Sequence, residues 1–268
     1  MLKDITLGQY FPGNSVAHKL DPRTKILLVT LYIIALFSAK GLVGYAVMIA
    51  TLAACVKVSH VGLKSLVRGL KPLVVIIVFT GVLNVFFTPD THYLWEWGIL
   101  RISVKGVENA LFMVVRIMLL VMGTFLMTYT TSPIRLTDGL ESLLNPLKKI
   151  HVPVHELAMM MAIALRFIPT LIEETDKIMS AQKARGADFE SGSLFQKAKA
   201  LVPILVPLFI SAFRRADELA TAMECRCYHG GEGRTKLHVL KYQRRDYVAL
   251  TGGAVILALV VLLRKLGA

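Results

Sequence analysis

The sequence contains few cysteines, few acidic residues and few charged residues overall. Only 18% of its 268 residues are charged, and 18 acidic residues face 31 lysines and arginines. The three cysteines, Cys55, Cys225 and Cys227, are too few and too unevenly placed for a disulfide framework, and they fit a reducing compartment. Because the first twenty residues contain no apolar run, we expect no cleavable signal peptide.

Apolar residues are abundant instead. They make up 55% of the chain, whereas soluble domains usually contain about 45 to 50%. The formal net charge of +13 is common in membrane proteins, whose basic cytoplasmic loops lie beside anionic lipid. We therefore expect the lipid bilayer, and not nucleic acid, as the partner of the basic surface.

Five apolar stretches predict membrane spans, at Ile26–Phe37, Val43–Val58, Leu73–Phe87, Ala110–Thr130 and Tyr247–Leu263. A span needs about 20 helical residues, so the first and third must include flanking residues. The loop after the second span contains bases without acids (Lys57, Lys64, Arg68 and Lys71), which places it in the cytoplasm. The N-terminus and residues 131–245 are then also cytoplasmic. We expect a multi-pass protein with an N-terminal bundle at 1–130, a coupling-helix region at 131–245 and a last span at 246–268.

Three helices are predicted within residues 131–245. The first is an amphipathic helix, Ser132–Ile150, which begins with a Ser-Pro cap. The second covers Val154–Ala184 and contains Pro169, and the third follows the polar turn Asp188–Ser193 and ends at Cys225. The predicted fold is an all-α membrane protein with about five transmembrane helices and three long cytoplasmic or interfacial helices between the fourth and fifth spans.

The two long helices have similar ends. An offset of 41 residues aligns Ser180-Ala181 with Thr221-Ala222 and Arg185 with Arg226, which we interpret as a weak internal repeat. An arginine offers a charged, rigid fork of donors to the carboxylates or carbonyls of a partner. The simpler interpretation is that each arginine only complements its helix dipole, a contribution of about 0.3 to 1 kcal/mol.

Three motifs carry a resemblance that covers essentially the whole chain. The N-terminal segment contains Gly8-x-Tyr10-x-Pro12-Gly13, and the first span begins with His18-Lys19-Leu20-Asp21-Pro22-Arg23-Thr24-Lys25. The second long helix ends in Ala184-Arg185-Gly186. Together these motifs resemble those of the energy-coupling factor transmembrane subunit family, EcfT.

The resemblance implies a function without catalysis. A subunit of this kind joins two ABC-type ATPase subunits to a membrane-embedded substrate-binding protein, the S-component, in a bacterial or archaeal cell membrane. The ATPases bind ATP, so no cofactor is expected in this chain. The two arginine motifs would contact the two ATPases through Ala184, Arg185, Gly186, Cys225, Arg226 and Cys227, although cysteines replace the small residues usual beside the second arginine. Vitamins are the usual substrates, and a dedicated nickel or cobalt importer is the alternative within the family.

Other patterns in the sequence give weaker predictions. Cys225-x-Cys227-x-His229 lacks the second ligand pair that a zinc site needs, so we expect no metal site. The run Gly230–Lys236 lacks the spacing of a phosphate-binding loop and follows a helix, so the chain cannot hydrolyse ATP by that route. A different class of function, a self-sufficient secondary transporter or channel, is less favoured because the repeat lies outside the predicted spans.

Arg116 is predicted to lie well inside the fourth span. A charge in that position costs at least about 2.5 kcal/mol, so its side chain should face the bundle or water. Two interpretations are equally weighted. Arg116 is either a functional intramembrane residue or the structural partner of Glu108, two turns earlier.

Overall fold

The computed structural model describes residues 10–88, 93–97, 100–189, 193–230 and 239–266. The chain forms two compact units. We call the first, Gly8–Leu140 with Leu240–Ala268, the membrane unit, and the second, which contains Glu141–Val239, the insertion unit.

The membrane unit consists mainly of helices. They are α1 (Val16–Lys19), α2 (Pro22–Ser38), α3 (Gly41–Ser59), α4 (Leu63–Leu70), a 3₁₀ turn (Lys71–Leu73), α5 (Val74–Phe87), α6 (Val104–Thr130), the start of α7 (Pro133–Leu144) and α10 (Arg244–Leu266). Local chemistry fixes their starts. Asp21 accepts a hydrogen bond from the backbone N–H of Arg23 (2.9 Å) and Pro22 occupies the first helical position, which is the expected start of α2.

The insertion unit contains the end of α7, a 3₁₀ segment (Asn145–Ile150), α8 (Val154–Ala184) and α9 (Leu194–Cys225). The predicted first helix, Ser132–Ile150, is therefore α7 followed by a tighter segment. The change occurs at Asn145-Pro146, where proline removes a backbone donor and disfavours an α conformation in the preceding residue. The second predicted helix has the bounds of α8.

The all-α membrane fold is confirmed, and every predicted span is helical. Among the described residues, five helices are long and apolar enough to cross a bilayer, namely Gly41–Ser59, Leu63–Phe87, Val104–Thr130, Val154–Ala184 and Arg244–Leu266. The set differs from the predicted five in two members. At 17 residues, α2 is about 25 Å long and slightly short for a span, whereas α8 qualifies through its apolar first half.

A short β-hairpin, which the sequence analysis did not predict, lies between α5 and α6. Strand β1 (Tyr93–Trp97) pairs with β2 (Leu100–Ser103) in antiparallel register, with Glu96 opposite Arg101. The sequence Tyr-Leu-Trp-Glu-Trp is rich in aromatic residues that favour strands.

The core of the membrane unit lies where α2, α3 and α6 meet. Its fully buried side chains include Leu36 of α2 and Met48 of α3, and Leu119 of α6 packs with them. The helices α2 and α6 are antiparallel, because Lys25 contacts Thr130 whereas Tyr32, further along α2, donates to the carbonyl of Leu119 (3.0 Å).

Candidate coupling site

The two long helices of the insertion unit lie against each other in antiparallel sense. Arg215 of α9 forms an ion pair with Glu174 of α8, with Nη2 3.0 Å from Oε2. Further along α8, Gln182 Nε2 donates to the carbonyl of Pro203, which lies earlier in α9 (3.4 Å). Residue numbers therefore rise along one helix as they fall along the other.

The ion pair joins equivalent positions of the repeat. Glu174 and Arg215 are 41 residues apart, which is the offset that aligns Arg185 with Arg226. Each arginine consequently lies eleven residues beyond the contact on its own helix, about 16 Å at 1.5 Å per residue. We call the part of each helix between this contact and its arginine an arm. The two arms are therefore equal in length, and each ends in an arginine.

The two helix ends have the same hydrogen-bonding pattern. At the end of α8, the N–H of Gly186 donates to the carbonyl of Lys183 (3.0 Å) and that of Ala187 donates to Gln182 (3.0 Å). At the end of α9, the N–H of Cys227 donates to Glu224 (2.8 Å) and that of Tyr228 donates to Met223 (3.0 Å). Both are Schellman motifs with an arginine at the C-cap. The two ends that the predicted repeat aligns therefore share their cap hydrogen bonds.

The position after each arginine requires a left-handed conformation. Gly186 has φ +89° and Cys227 has φ +55°. Glycine adopts this conformation without steric cost, whereas a side chain such as that of cysteine adopts it at a cost of about 1–2 kcal/mol. The cysteine at position 227 therefore weakens the second cap without changing its form.

The six residues predicted to contact partners are exposed. They are Ala184, Arg185, Gly186, Cys225, Arg226 and Cys227. Within the described part of the chain, neither the Arg185 nor the Arg226 guanidinium has an intramolecular hydrogen bond or ion pair. Both forks are thus available to the acidic or carbonyl groups of another protein.

The cysteines beside Arg226 have no metal-binding arrangement with the described residues around them. The ring Nδ1 of His229 lies 2.8 Å from the carbonyl oxygen of Cys227, and both Cys225 and Cys227 are free thiols. Among the described residues, no group of three histidine, cysteine or acidic side chains has an arrangement that could hold a metal ion.

Substitutions at the two left-handed positions should have opposite effects. We expect Gly186→Val to weaken the cap of α8 by about 1–2 kcal/mol, and Cys227→Gly to strengthen the cap of α9 by a similar amount. Hydrogen exchange of the amides of residues 185–187 and 226–228, in detergent, measures both changes. Faster exchange after Cys227→Gly would contradict the assignment of a strained cap.

Arg116 has a partner on a neighbouring helix. Its Nε donates to the hydroxyl of Tyr45 in α3 (2.8 Å), and its guanidinium carbon lies 5.8 Å from the ring centre of Phe37. Glu108, the structural partner considered from the sequence, does not pair with it, since eight residues of helix separate the two by about 12 Å. A functional role for Arg116 stays a prediction.

The neighbours of Arg116 also show where it lies along α2 and α3. Phe37 is near the end of α2 and Tyr45 near the start of α3, so Arg116 lies level with the α2–α3 turn. It is fourteen residues from Thr130, about 21 Å along α6, and α6 continues beyond this level. The charge is therefore central in its own helix but level with the turn between its two neighbours.

The fold and these helix ends define a class of protein, a multi-pass helical membrane protein with a pair of exposed arginine caps in its longest insertion. The family model described as CbiQ, cobalt transport protein, matches residues 13–237. The chain is similar to energy-coupling factor transporter transmembrane proteins EcfT of Clostridium kluyveri (54% identity, 98% of each chain), Ruminiclostridium cellulolyticum (52%, 99% of this chain and 98% of the relative) and Bacillus subtilis (46%, 98% and 100%). The chain belongs to this family of transmembrane transporter proteins.

The family establishes the general function. The chain is a multi-pass membrane component of an energy-coupling factor transporter, as its motifs predicted. The relatives are named as transporter transmembrane proteins, which is consistent with a non-catalytic role in a complex.

Proposed function

We propose that this chain is the coupling subunit of an ATP-driven importer. Two ABC-type ATPase subunits bind its arginine-capped helices, and an S-component bound to its membrane helices carries the substrate. ATP is bound and hydrolysed by the ATPases. This chain transmits their motion and performs no chemistry itself.

The observation that supports this proposal is the pair of exposed Schellman C-caps, each with an arginine at the cap. Two helix ends with the same Schellman hydrogen bonds and the same exposed guanidinium group can bind two related surfaces. A pair of similar ATPase subunits would present such surfaces. If each arginine served only its own helix dipole, the two helix ends would need no similarity in their cap hydrogen bonds.

The contact between α8 and α9 suggests how motion is transmitted. Because the Glu174–Arg215 ion pair lies equally far from both tips, a movement that brings the two ATPases together acts on two arms of the same length. The arms are continuous helices, which transmit displacement better than loops. The S-component would then be reoriented as the arms move.

The substrate class in this proposal is a vitamin or another micronutrient, and the S-component selects it. The matching family model, which is that of a cobalt transport protein, favours one second candidate. In that case the chain serves a dedicated nickel or cobalt importer instead.

Affinity purification of the tagged chain from its native membranes in mild detergent tests the assembly. We expect two ATPase subunits and at least one small membrane protein to co-purify, and mass spectrometry would identify them. The complex would then be reconstituted in vesicles, and its uptake of cobalt-57, nickel-63 and tritium-labelled B vitamins would be measured. Uptake by the single chain, driven by an ion gradient without ATPases, would instead establish a secondary transporter.

A further inference from the structure

A five-residue segment at the start of the first membrane helix, Asp21–Lys25, is unusually polar and buried. Asp21 and Lys25 are 7% and 6% exposed, although both are charged. Burying a charge is costly unless it is paired or hydrogen-bonded. The partners of this segment therefore explain why its charged residues are buried.

One set of partners lies where the chain returns from the insertion. Asp246, 1% exposed, accepts two backbone hydrogen bonds at 2.8 Å, one from Asp21 through Oδ1 and one from Gln243 through Oδ2. Arg23, held by the Asp21 carboxylate, lies with its guanidinium carbon 4.1 Å from the ring centre of Tyr242. The first turn of α10 and the residues before it are thus held by α2.

The other set lies where the chain enters the insertion. Lys25 Nζ donates to the carbonyl of Thr130 (2.8 Å) and to the hydroxyl of Thr131 (3.0 Å), at the end of α6. A cation suits a helix C-terminus, because it complements the dipole and the unpaired carbonyls. The middle of α7 is also close, since a Cβ on Gly139 would lie 3.0 Å from Pro22 Cβ and 3.3 Å from the backbone N of Arg23.

We propose that Asp21–Lys25 is a positioning segment, which fixes both the entry and the exit of the coupling insertion to the first membrane helix. The Lys25 ammonium reaches the backbone at the entry of the insertion, and the Asp246 carboxylate at its exit reaches the backbone of the segment, whereas Asp21 and Arg23 bond to each other. A displacement of the insertion then moves α2, α6 and α10 together. Flexible segments at its entry and exit would instead allow the insertion to move alone. The role in transmission rests on the coupling function proposed above.

The test uses the purified complex with Lys25→Met or Asp246→Asn in this chain. Lys25→Met removes the bonds to the end of α6, and Asp246→Asn replaces one of two acceptors with a donor that faces a backbone N–H. Two controls match them. Lys19→Met changes an exposed lysine six residues earlier, and Lys40→Met changes an exposed lysine between α2 and α3, at the other end of α2.

The readout is the number of ATP molecules hydrolysed per substrate transported, with the labelled probe that the wild-type complex accumulates. We expect this ratio to rise at least tenfold in Lys25→Met and Asp246→Asn and to stay within twofold in the controls. A residue needed only for folding would lower hydrolysis and transport in proportion. An unchanged ratio therefore overturns the proposal.

Hydrogen exchange gives a second readout that does not depend on ATPases. Lys25→Met should accelerate exchange at residues 131–137, and Asp246→Asn should accelerate it at Gln243 and Asp21, while the core of α3 is unchanged. If Lys25→Met fails to accumulate, Thr131→Val removes one acceptor alone and should show the same change to a smaller degree. Unchanged exchange in these variants also overturns the proposal. Failure of the coupling function itself is distinguishable, because the wild-type chain would then purify without ATPases.

Discussion

Reversing both arginine tips, with Arg185→Glu and Arg226→Glu together, is expected to abolish ATP-driven uptake and to lower co-purification of the ATPases at least tenfold. Hydrogen bonds to a charged group contribute about 1.5–3 kcal/mol each, and tenfold in affinity corresponds to about 1.4 kcal/mol. Glutamate removes the donors and places like charge against any acidic groove, so the loss should exceed that of alanine substitutions.

A control of equal charge change separates docking from bulk electrostatics. Lys177→Glu with Arg214→Glu reverses two exposed bases on the same helices, away from their ends. We expect this variant to insert, to retain its ATPases and to transport at near wild-type rate. Normal uptake by a well-inserted Arg185→Glu/Arg226→Glu variant would contradict the docking assignment.

The two single variants should lose similar activity. From the sequence, the Ala-Arg-Gly motif at 184–186 is the stronger of the two, because cysteines flank Arg226. The structure gives both arginines the same position in the same Schellman motif. Cap geometry, and not the identity of the flanking side chains, sets the direction of the backbone at each tip, so we expect comparable defects in Arg185→Glu and Arg226→Glu.

Sequence reasoning is most accurate where local chemistry determines the structure. The bounds of α8 follow from helical periodicity, and its end follows from a glycine that must adopt a left-handed conformation. The capping box of Ser193 and Gln196 likewise starts α9 after the predicted polar turn. Such signals lie within a few residues of the element that they define.

Contacts between distant segments could not be predicted in this way. Asp21 and Asp246 are 225 residues apart in the sequence, and Lys25 and Thr130 are 105 apart. No local sequence pattern therefore predicts either contact. Similarly, the partner of Arg116 was sought on its own helix, whereas Tyr45 on another helix supplies it. The buried polar segment was recognised as a family signature, but its role became visible only from its partners.

Close packing between α2 and α6 leads to the second large effect. A Cβ on Gly123 would lie 2.4 Å from Cε1 of Tyr32, and the Tyr32 hydroxyl is bonded to the carbonyl of Leu119, so the ring cannot move freely away. Gly123→Val should therefore force the two helices apart and destabilise the membrane unit by about 1–3 kcal/mol or more. Thermal unfolding in detergent, followed by size-exclusion chromatography, measures the loss.

The matched control is Gly252→Val in α10, where an added Cβ meets no atom within 4 Å. Both substitutions place the same β-branched residue in an apolar helix, so they share every effect except the clash. Adding Tyr32→Ala to Gly123→Val should restore part of the lost stability, since the overlap requires both side chains. If Gly123→Val unfolds at the temperature of Gly252→Val, or if the two changes at positions 32 and 123 are simply additive, then α2 and α6 do not approach each other as closely as the structure shows.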